Sequence, residues 1–212
     1  IIPLGIDRKL KTISQNLLRK KYKIKKNEKV LLFVGRLYPY KGLEYLLGSM
    51  AKVVKEIKNI KLVIVGSGKM ETKLRKLAKD MGIEKNVIFT GSIPDEEKNT
   101  FYKICEVFIL PSVDRGEAFG ISIVEAMSFG KPIISTEIKC SGTSFVNKDG
   151  VTGIVVPPKN SDELTKAIME LLESKRLRRK FGKNARKRFL RLFTSEKMIS
   201  SHTKLYNDLS KA

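Results

Sequence analysis

The chain has 212 residues, 42 % hydrophobic and 31 % charged, which excludes a disordered polypeptide and fits one domain with a sizeable core. Lys and Arg number 43 against 22 Asp and Glu, a net charge of +21; this attracts anions (nucleotides, phospholipid surfaces, nucleic acid) without choosing among them. No apolar run approaches the ~18 residues that cross a bilayer, and Cys105 and Cys140 lack metal or redox spacing, which argues against a disulfide scaffold and for a reducing cytosol.

In chain order, the first segment is "IIPLGIDRKL". It has no initiator Met and no basic-then-apolar signal pattern, so the chain is expected to be part of a longer protein. Six short apolar runs follow: "VLLFVG" (30–35), "LVIVGSG" (62–68), "VIFTG" (87–91), "VFILPS" (107–112), "PIIST" (132–136) and "GIVVPP" (153–158). Each is continuous rather than alternating and rich in β-branched residues, the pattern of strands buried on both faces of a parallel sheet. Helical periods lie between them. Leu43, Leu46, Leu47, Met50, Val53, Val54 and Ile57 recur at three- and four-residue steps, opposite Lys52, Lys55, Glu56 and Lys58. "KMETKLRKLAKDMG" repeats that logic with Gly82 as its stop, and "PDEEKNTFYKI" begins with Pro and acids. Cys105, directly behind that helix, reads as a small core residue. "SDELTKAIMELLES" starts at Ser161 with Asp and Glu next. The alternation predicts an α/β fold, a doubly wound Rossmann-like parallel six-stranded sheet with helices on both faces.

The commonest order for such a sheet, 3-2-1-4-5-6, puts the first and fourth strands side by side, with ligands bound beyond their carboxyl ends. The two loops there are "GRLYPYKG" (35–42) and "SVDRGEAFG" (112–120). In the first, Gly35 allows close backbone approach, and Arg36 and Lys41 combine a planar donor fork with a point charge, a pair suited to a diphosphate. It is not a Walker loop, because no Ser or Thr follows the Lys. In the second, Gly120 turns the chain into a helix whose first N–H groups can receive phosphate. Glu117 before the turn and Glu125 one turn into the helix can accept hydrogen bonds from sugar hydroxyls. Bland alternatives stand beside these: surface cations at a turn, and acids that only complement the helix dipole.

Other features carry less. "VGSG" (65–68) lacks the third Gly of a dinucleotide fingerprint, position 71 being Glu71, so a dehydrogenase is disfavoured and close packing on the first loop is the expected role. His202 is the sole histidine and reads as a surface residue, which leaves no Ser-His-Asp arrangement and no metal-spaced cluster. From Lys175 to Arg191 there are ten Lys or Arg and no acid, with Leu177, Phe181, Ala185 and Phe189 every four residues. That basic amphipathic stretch fits a solvated face or a peripheral attachment to the cytoplasmic face of an anionic membrane, and no specific nucleic-acid motif accompanies it.

Taken together, "GRLYPYKG", "VIVGSG", "GSIPDEE", "EAFGISIVEAMSFGKPIIS" and "GVTGIVVPP" resemble the C-terminal, donor-binding domain of a family 4 retaining glycosyltransferase of GT-B architecture. The resemblance implies a UDP- or GDP-linked sugar as donor substrate and no further cofactor. It implies that Arg36 and Lys41 meet the diphosphate, Glu125 the ribose, Glu117 the donor-sugar hydroxyls, the amides of Phe119, Gly120 and Ile121 sugar and phosphate, and Ile93 the base. Glu117, Arg36 and Lys41 would be the catalytic contributors, the leaving diphosphate being stabilised by the cations and the helix N-terminus rather than by a metal. The same resemblance divides the chain into a Rossmann-like domain at 1–190 and a crossover helix at 191–212, with an N-terminal acceptor domain absent. A donor-binding chain without efficient transfer by itself is the expected consequence. Two competing readings are a polyanion-binding module for nucleic acid or anionic membrane and a GT-B sugar-nucleotide epimerase, the latter disfavoured by the scarcity of histidine and the Glu117/Glu125 pair.

Overall fold

The computed structural model describes residues 2–7 and 10–211; Ile1 of the lead-in segment and Ala212 of the tail lie outside the described residues. Six strands form one parallel sheet: β1 (Lys29–Val34), β2 (Ile60–Val65), β3 (Val87–Gly91), β4 (Val107–Leu110), β5 (Ile133–Thr136) and β6 (Gly153–Val156). Their order is β3-β2-β1-β4-β5-β6, the doubly wound arrangement expected from the sequence. Leu31, Leu32, Phe33, Leu62, Val63, Ile64, Phe108, Ile109, Ile133 and Ile134 are buried, so the central strands are dry on both faces and need no polar alternation.

Nine helices are described: α1 (Gln15–Lys21), α2 (Leu43–Glu56), α3 (Glu71–Asp80), α4 (Asp95–Ile104), α5 (Ile121–Ser128), α6 (Thr143–Val146), α7 (Ser161–Glu173), α8 (Lys175–Leu192) and α9 (Ser195–Leu209). Crossovers of one hand that move leftward from β1 and rightward from β3 must cover opposite faces of the sheet. Accordingly α2 packs on α7 and α5 on α8. The apolar period of α2 is realised, with Leu43, Leu46, Leu47, Met50 and Val53 all buried. Cys105 is buried as expected, and Gly82 follows α3 with φ +68°.

Helix α7 starts at Ser161, as the sequence suggests, and its cap lies one residue earlier. The cap of α7 is Asn160, whose side chain accepts from the amides of Asp162 (3.0 Å) and Glu163 (3.1 Å). Ser161 is instead the first helical residue, and its hydroxyl donates to the Tyr45 carbonyl in α2 at 3.0 Å. With Ser161 already inside the helix, the capping oxygen belongs to the residue before it, and the Asn160 side chain accepts from two of the orphan amides of the first turn.

The amphipathic face of α8 buries Phe181, Ala185 and Phe189 against the body, and its cations stay outside. Helix α8 runs through position 190 to Leu192, and the chain turns at Phe193–Thr194. There the lead-in segment returns: Ile6 donates to the Phe193 carbonyl (3.0 Å) and accepts from the Ser195 amide (2.9 Å). Helix α9, with His202 on it, has no buried residue.

Candidate functional site

The carboxyl ends of β1 and β4 adjoin, and their loops are stitched together. The Val113 amide donates to the Tyr40 carbonyl at 2.8 Å. Gly42, at φ +63°, lies so near Pro111 that a Cβ would stand 2.2 Å from its carbonyl oxygen. No other residue type fits there, because both the backbone sign and the space require glycine. The "VGSG" turn is a packing device, as expected: a Cβ on Gly66 would sit 2.1 Å from the Gly35 carbonyl oxygen, and the Leu37 amide donates to the Ser67 carbonyl at 2.9 Å.

Between the loops lies a cavity of about 420 Å³, lined by Gly35, Arg36, Lys41, Glu117, Phe119, Gly120, Ile121 and Glu125, with Leu4 and Tyr40 at its wall. Eight of the nine residues singled out by sequence therefore share one cleft. Ile93 lines an adjoining cavity of about 290 Å³ with Ser67, Ser92 and Lys98, and the two cavities have Val34, Gly35 and Arg36 in common.

The charges within the cleft are not equivalent. Lys41 and Glu117 are both buried, and the ammonium donates to Glu117 Oε2 at 2.5 Å; the Ser112 hydroxyl donates to the same oxygen at 3.0 Å. The Lys41 ammonium passes close to Gly35, 3.4 Å from where a Cβ would stand. The two residues expected to grip different parts of a ligand thus also hold each other. Arg36 is exposed, packs its guanidinium 5.4 Å above the centre of the Tyr38 ring and donates to the Tyr40 hydroxyl at 3.3 Å. Glu125 is fixed at both oxygens, Oε1 by the Lys98 ammonium (2.9 Å) and Oε2 by the Tyr102 hydroxyl (2.8 Å). Lys98 is itself tied to Asp95 at 2.8 Å.

These contacts set protonation. Burial works against the Lys98 charge, but the hydrogen bond to Asp95 and the negative charge of Glu125 prevail, and its pKa is raised. Burial first, then the Glu125 charge, pushes the Tyr102 hydroxyl well above its ordinary value. Both groups therefore remain proton donors to Glu125 at neutral pH, and the carboxylate keeps one lone pair on each oxygen for a ligand hydroxyl. Gly120, at φ +82°, starts α5, whose first N–H groups have no intrahelical acceptor and face the cleft end of the helix.

Lys98, Tyr102 and Ser112 were not singled out by sequence. Lys98 and Tyr102 are four residues apart in "DEEKNTFYKI", a spacing that puts them on one helical face. Nothing local tells that this face meets Glu125. Among the described residues, no group of three His, Cys, Asp or Glu side chains could hold a metal ion, and no helix is long and apolar enough to cross a membrane.

Fold and cleft define an α/β domain with a crevice at the switch point of a doubly wound sheet. Residues 14–188 match the family described as "Glycosyl transferases group 1". The chain belongs to that family; the description is broader than the family 4 suggested by the motifs. It is 40 % identical over 178 residues to O-antigen chain mannosyltransferase C of Escherichia coli, covering 84 % of this chain and 46 % of that protein. It is 38 % identical over 164 residues to D-rhamnosyltransferase WbpZ of Pseudomonas aeruginosa, covering 77 % of this chain and 41 % of that one. Among solved structures, Anabaena Alr3699/HepE in complex with UDP-glucose superposes with a TM-score of 0.83 at 24 % identity, over 98 % of this chain and 56 % of that one. The chain thus spans about half the length of the relatives it matches.

Proposed function

We propose that this chain is the half of a glycosyltransferase that binds a nucleoside-diphosphate sugar, and that the whole enzyme transfers a hexose, with retained anomeric configuration, to a glycan or lipid-linked acceptor. The observation that carries the reading is the convergence of two loops, more than seventy positions apart (Lys41 to Glu117 is 76), on one cleft holding two fixed carboxylates and a guanidinium that has no ion pair among the described residues. Family membership supports it, as do the mannosyl- and rhamnosyltransferase names of the relatives and the UDP-glucose bound by the fold neighbour.

In this reading Arg36, which forms no ion pair among the described residues, meets the diphosphate together with the amides that start α5. Those donors sit where negative charge grows as the leaving diphosphate departs, which is where fixed dipoles lower a barrier most. Lys41 adds a second positive charge, kept in place by Glu117, whose same oxygen also accepts from Ser112. Glu117 offers its remaining acceptor capacity to sugar hydroxyls, Glu125 accepts from the ribose, and the cavity at Ile93 receives the base. Helix α9, which has no fully buried residue here, would pack on the acceptor-binding half of the enzyme.

Calorimetric titration of the purified chain with UDP-glucose and GDP-mannose tests the site. One donor should bind, and Arg36→Ala or Glu125→Ala should each weaken it about tenfold, as expected for losing a charge-assisted hydrogen bond. Unchanged affinity in both variants would remove the cleft from consideration. Tyr102→Phe should weaken the same titration by a smaller factor and leave the enthalpy of a control ligand, inorganic phosphate, unaltered.

A further inference from the structure

A second cavity of about 490 Å³ lies at the opposite, amino end of the strands, where the chain enters β4 and β5. Its lining includes Arg19, Lys103, Lys131, Lys175, Arg178 and Arg179, and only one acid, Glu106. The cations come from four places: α1, the end of α4, the turn after α5, and the first turns of α8. This is therefore no ordinary solvated helix face, on which the charges would follow one another along a single element.

Three of the six are occupied by the protein. Arg178 pairs with Glu106 at 2.9 Å and donates to the carbonyls of Leu171 (2.6 Å) and Leu172 (2.9 Å) at the end of α7. Lys131 donates to the Lys103 carbonyl at 2.9 Å, and Arg19 to that of Lys25 at 2.9 Å. The remaining side chains, those of Lys103, Lys175 and Arg179, have no hydrogen bond or ion pair among the described residues. The single carboxylate is already engaged, so three like charges converge on a concavity without a counterion. The positive end of the 18-residue helix α8 adds to the same potential.

We infer that this groove binds a ligand bearing phosphate groups. Arg forks and Lys point charges together match tetrahedral phosphate oxygens. No aromatic ring lines the groove, so it lacks the stacking surface that single-stranded nucleic acid uses. The volume suits a diphosphate or a phosphorylated headgroup better than a lone small ion. The site is separate from the donor cleft, which opens at the other end of β4, and does not depend on the reading given for that cleft.

Inorganic pyrophosphate is the first probe, titrated calorimetrically into an Arg36→Ala background so that the donor cleft contributes little. Removing Lys103 and Arg179 together (Lys103→Ala, Arg179→Ala) should weaken binding about tenfold or more. The pair Lys183→Ala and Lys187→Ala, which removes the same charge from exposed positions of α8 outside the groove, should change it by about twofold at most. Sedimentation with phosphatidic acid vesicles, against phosphatidylcholine alone, separates the sources. Vesicle binding that needs Lys103 and Arg179 and is displaced by pyrophosphate assigns the groove to a lipid headgroup. Pyrophosphate binding without vesicle binding assigns it to a soluble phosphate compound. Equal weakening by both variant pairs, or no binding of either probe, would overturn the inference.

Discussion

Replacing Lys41 by Met is the most informative perturbation of the cleft. Lys41 and Glu117 have side chains only 9 % exposed, with nitrogen and oxygen 2.5 Å apart. Without the ammonium, Glu117 keeps the Ser112 hydroxyl (3.0 Å) as its one side-chain donor, while its charge remains out of water. Breaking a buried pair from one side costs about 3–5 kcal/mol, because an uncompensated charge is left behind. For a chain of this size each kcal/mol lowers Tm by about 2–4 °C, so Lys41→Met should melt about 6–20 °C below the parent. The double variant Lys41→Met/Glu117→Gln removes both charges, and Gln can still accept from Ser112. It should recover at least about 2 kcal/mol of the summed single costs. Urea unfolding of the four proteins in the cycle gives the coupling directly. A Lys41→Met cost under about 1 kcal/mol, or additive single costs, would refute the claim that the pair is a buried, mutually dependent unit.

Other consequences follow from packing and burial. A Cβ on Gly182 of α8 would stand 2.2 Å from the Gly130 carbonyl oxygen at the end of α5; Gly182→Ala should cost about 1–3 kcal/mol in urea unfolding by forcing the helices apart, whereas Gly150→Ala, with open space but φ +65°, should cost about 1 kcal/mol from backbone strain alone. Burial raises the Cys105 thiol to about 11, while Cys140 is exposed, so a thiol reagent at neutral pH should titrate one cysteine in the native protein and two after denaturation. Burial, then the hydrogen bond to Glu97, raises the Tyr22 hydroxyl to about 12. A raised group binds its proton more tightly when folded, so its contribution is complete below the unfolded value of about 10 and is lost as pH rises toward 12. Tyr22→Phe should flatten that alkaline limb of the stability profile; an unchanged limb would show that another group causes it.

The doubly wound order was legible because both of its signals are local. Continuous β-branched runs such as "VLLFV" can be satisfied only inside a sheet covered on both faces, and the three- and four-residue period of Leu43 to Val53 only by a helix with one buried side. Winding rules then bring positions 35–42 and 112–120 together from the sequence alone. Which charge faces which was decided by the tertiary structure. The sequence does not distinguish Lys41 as a ligand cation from Lys41 as the partner of Glu117, nor place Lys98 and Tyr102 on Glu125, 27 and 23 positions away. The Ser161 hydroxyl finds its acceptor on α2, 116 positions away, and the cationic groove gathers residues from Arg19 to Arg179. Apolar burial depends on a residue's own pattern and so is written along the chain. A hydrogen bond or ion pair depends on a second atom to within a few tenths of an ångström, and only the packed fold determines which atom that is.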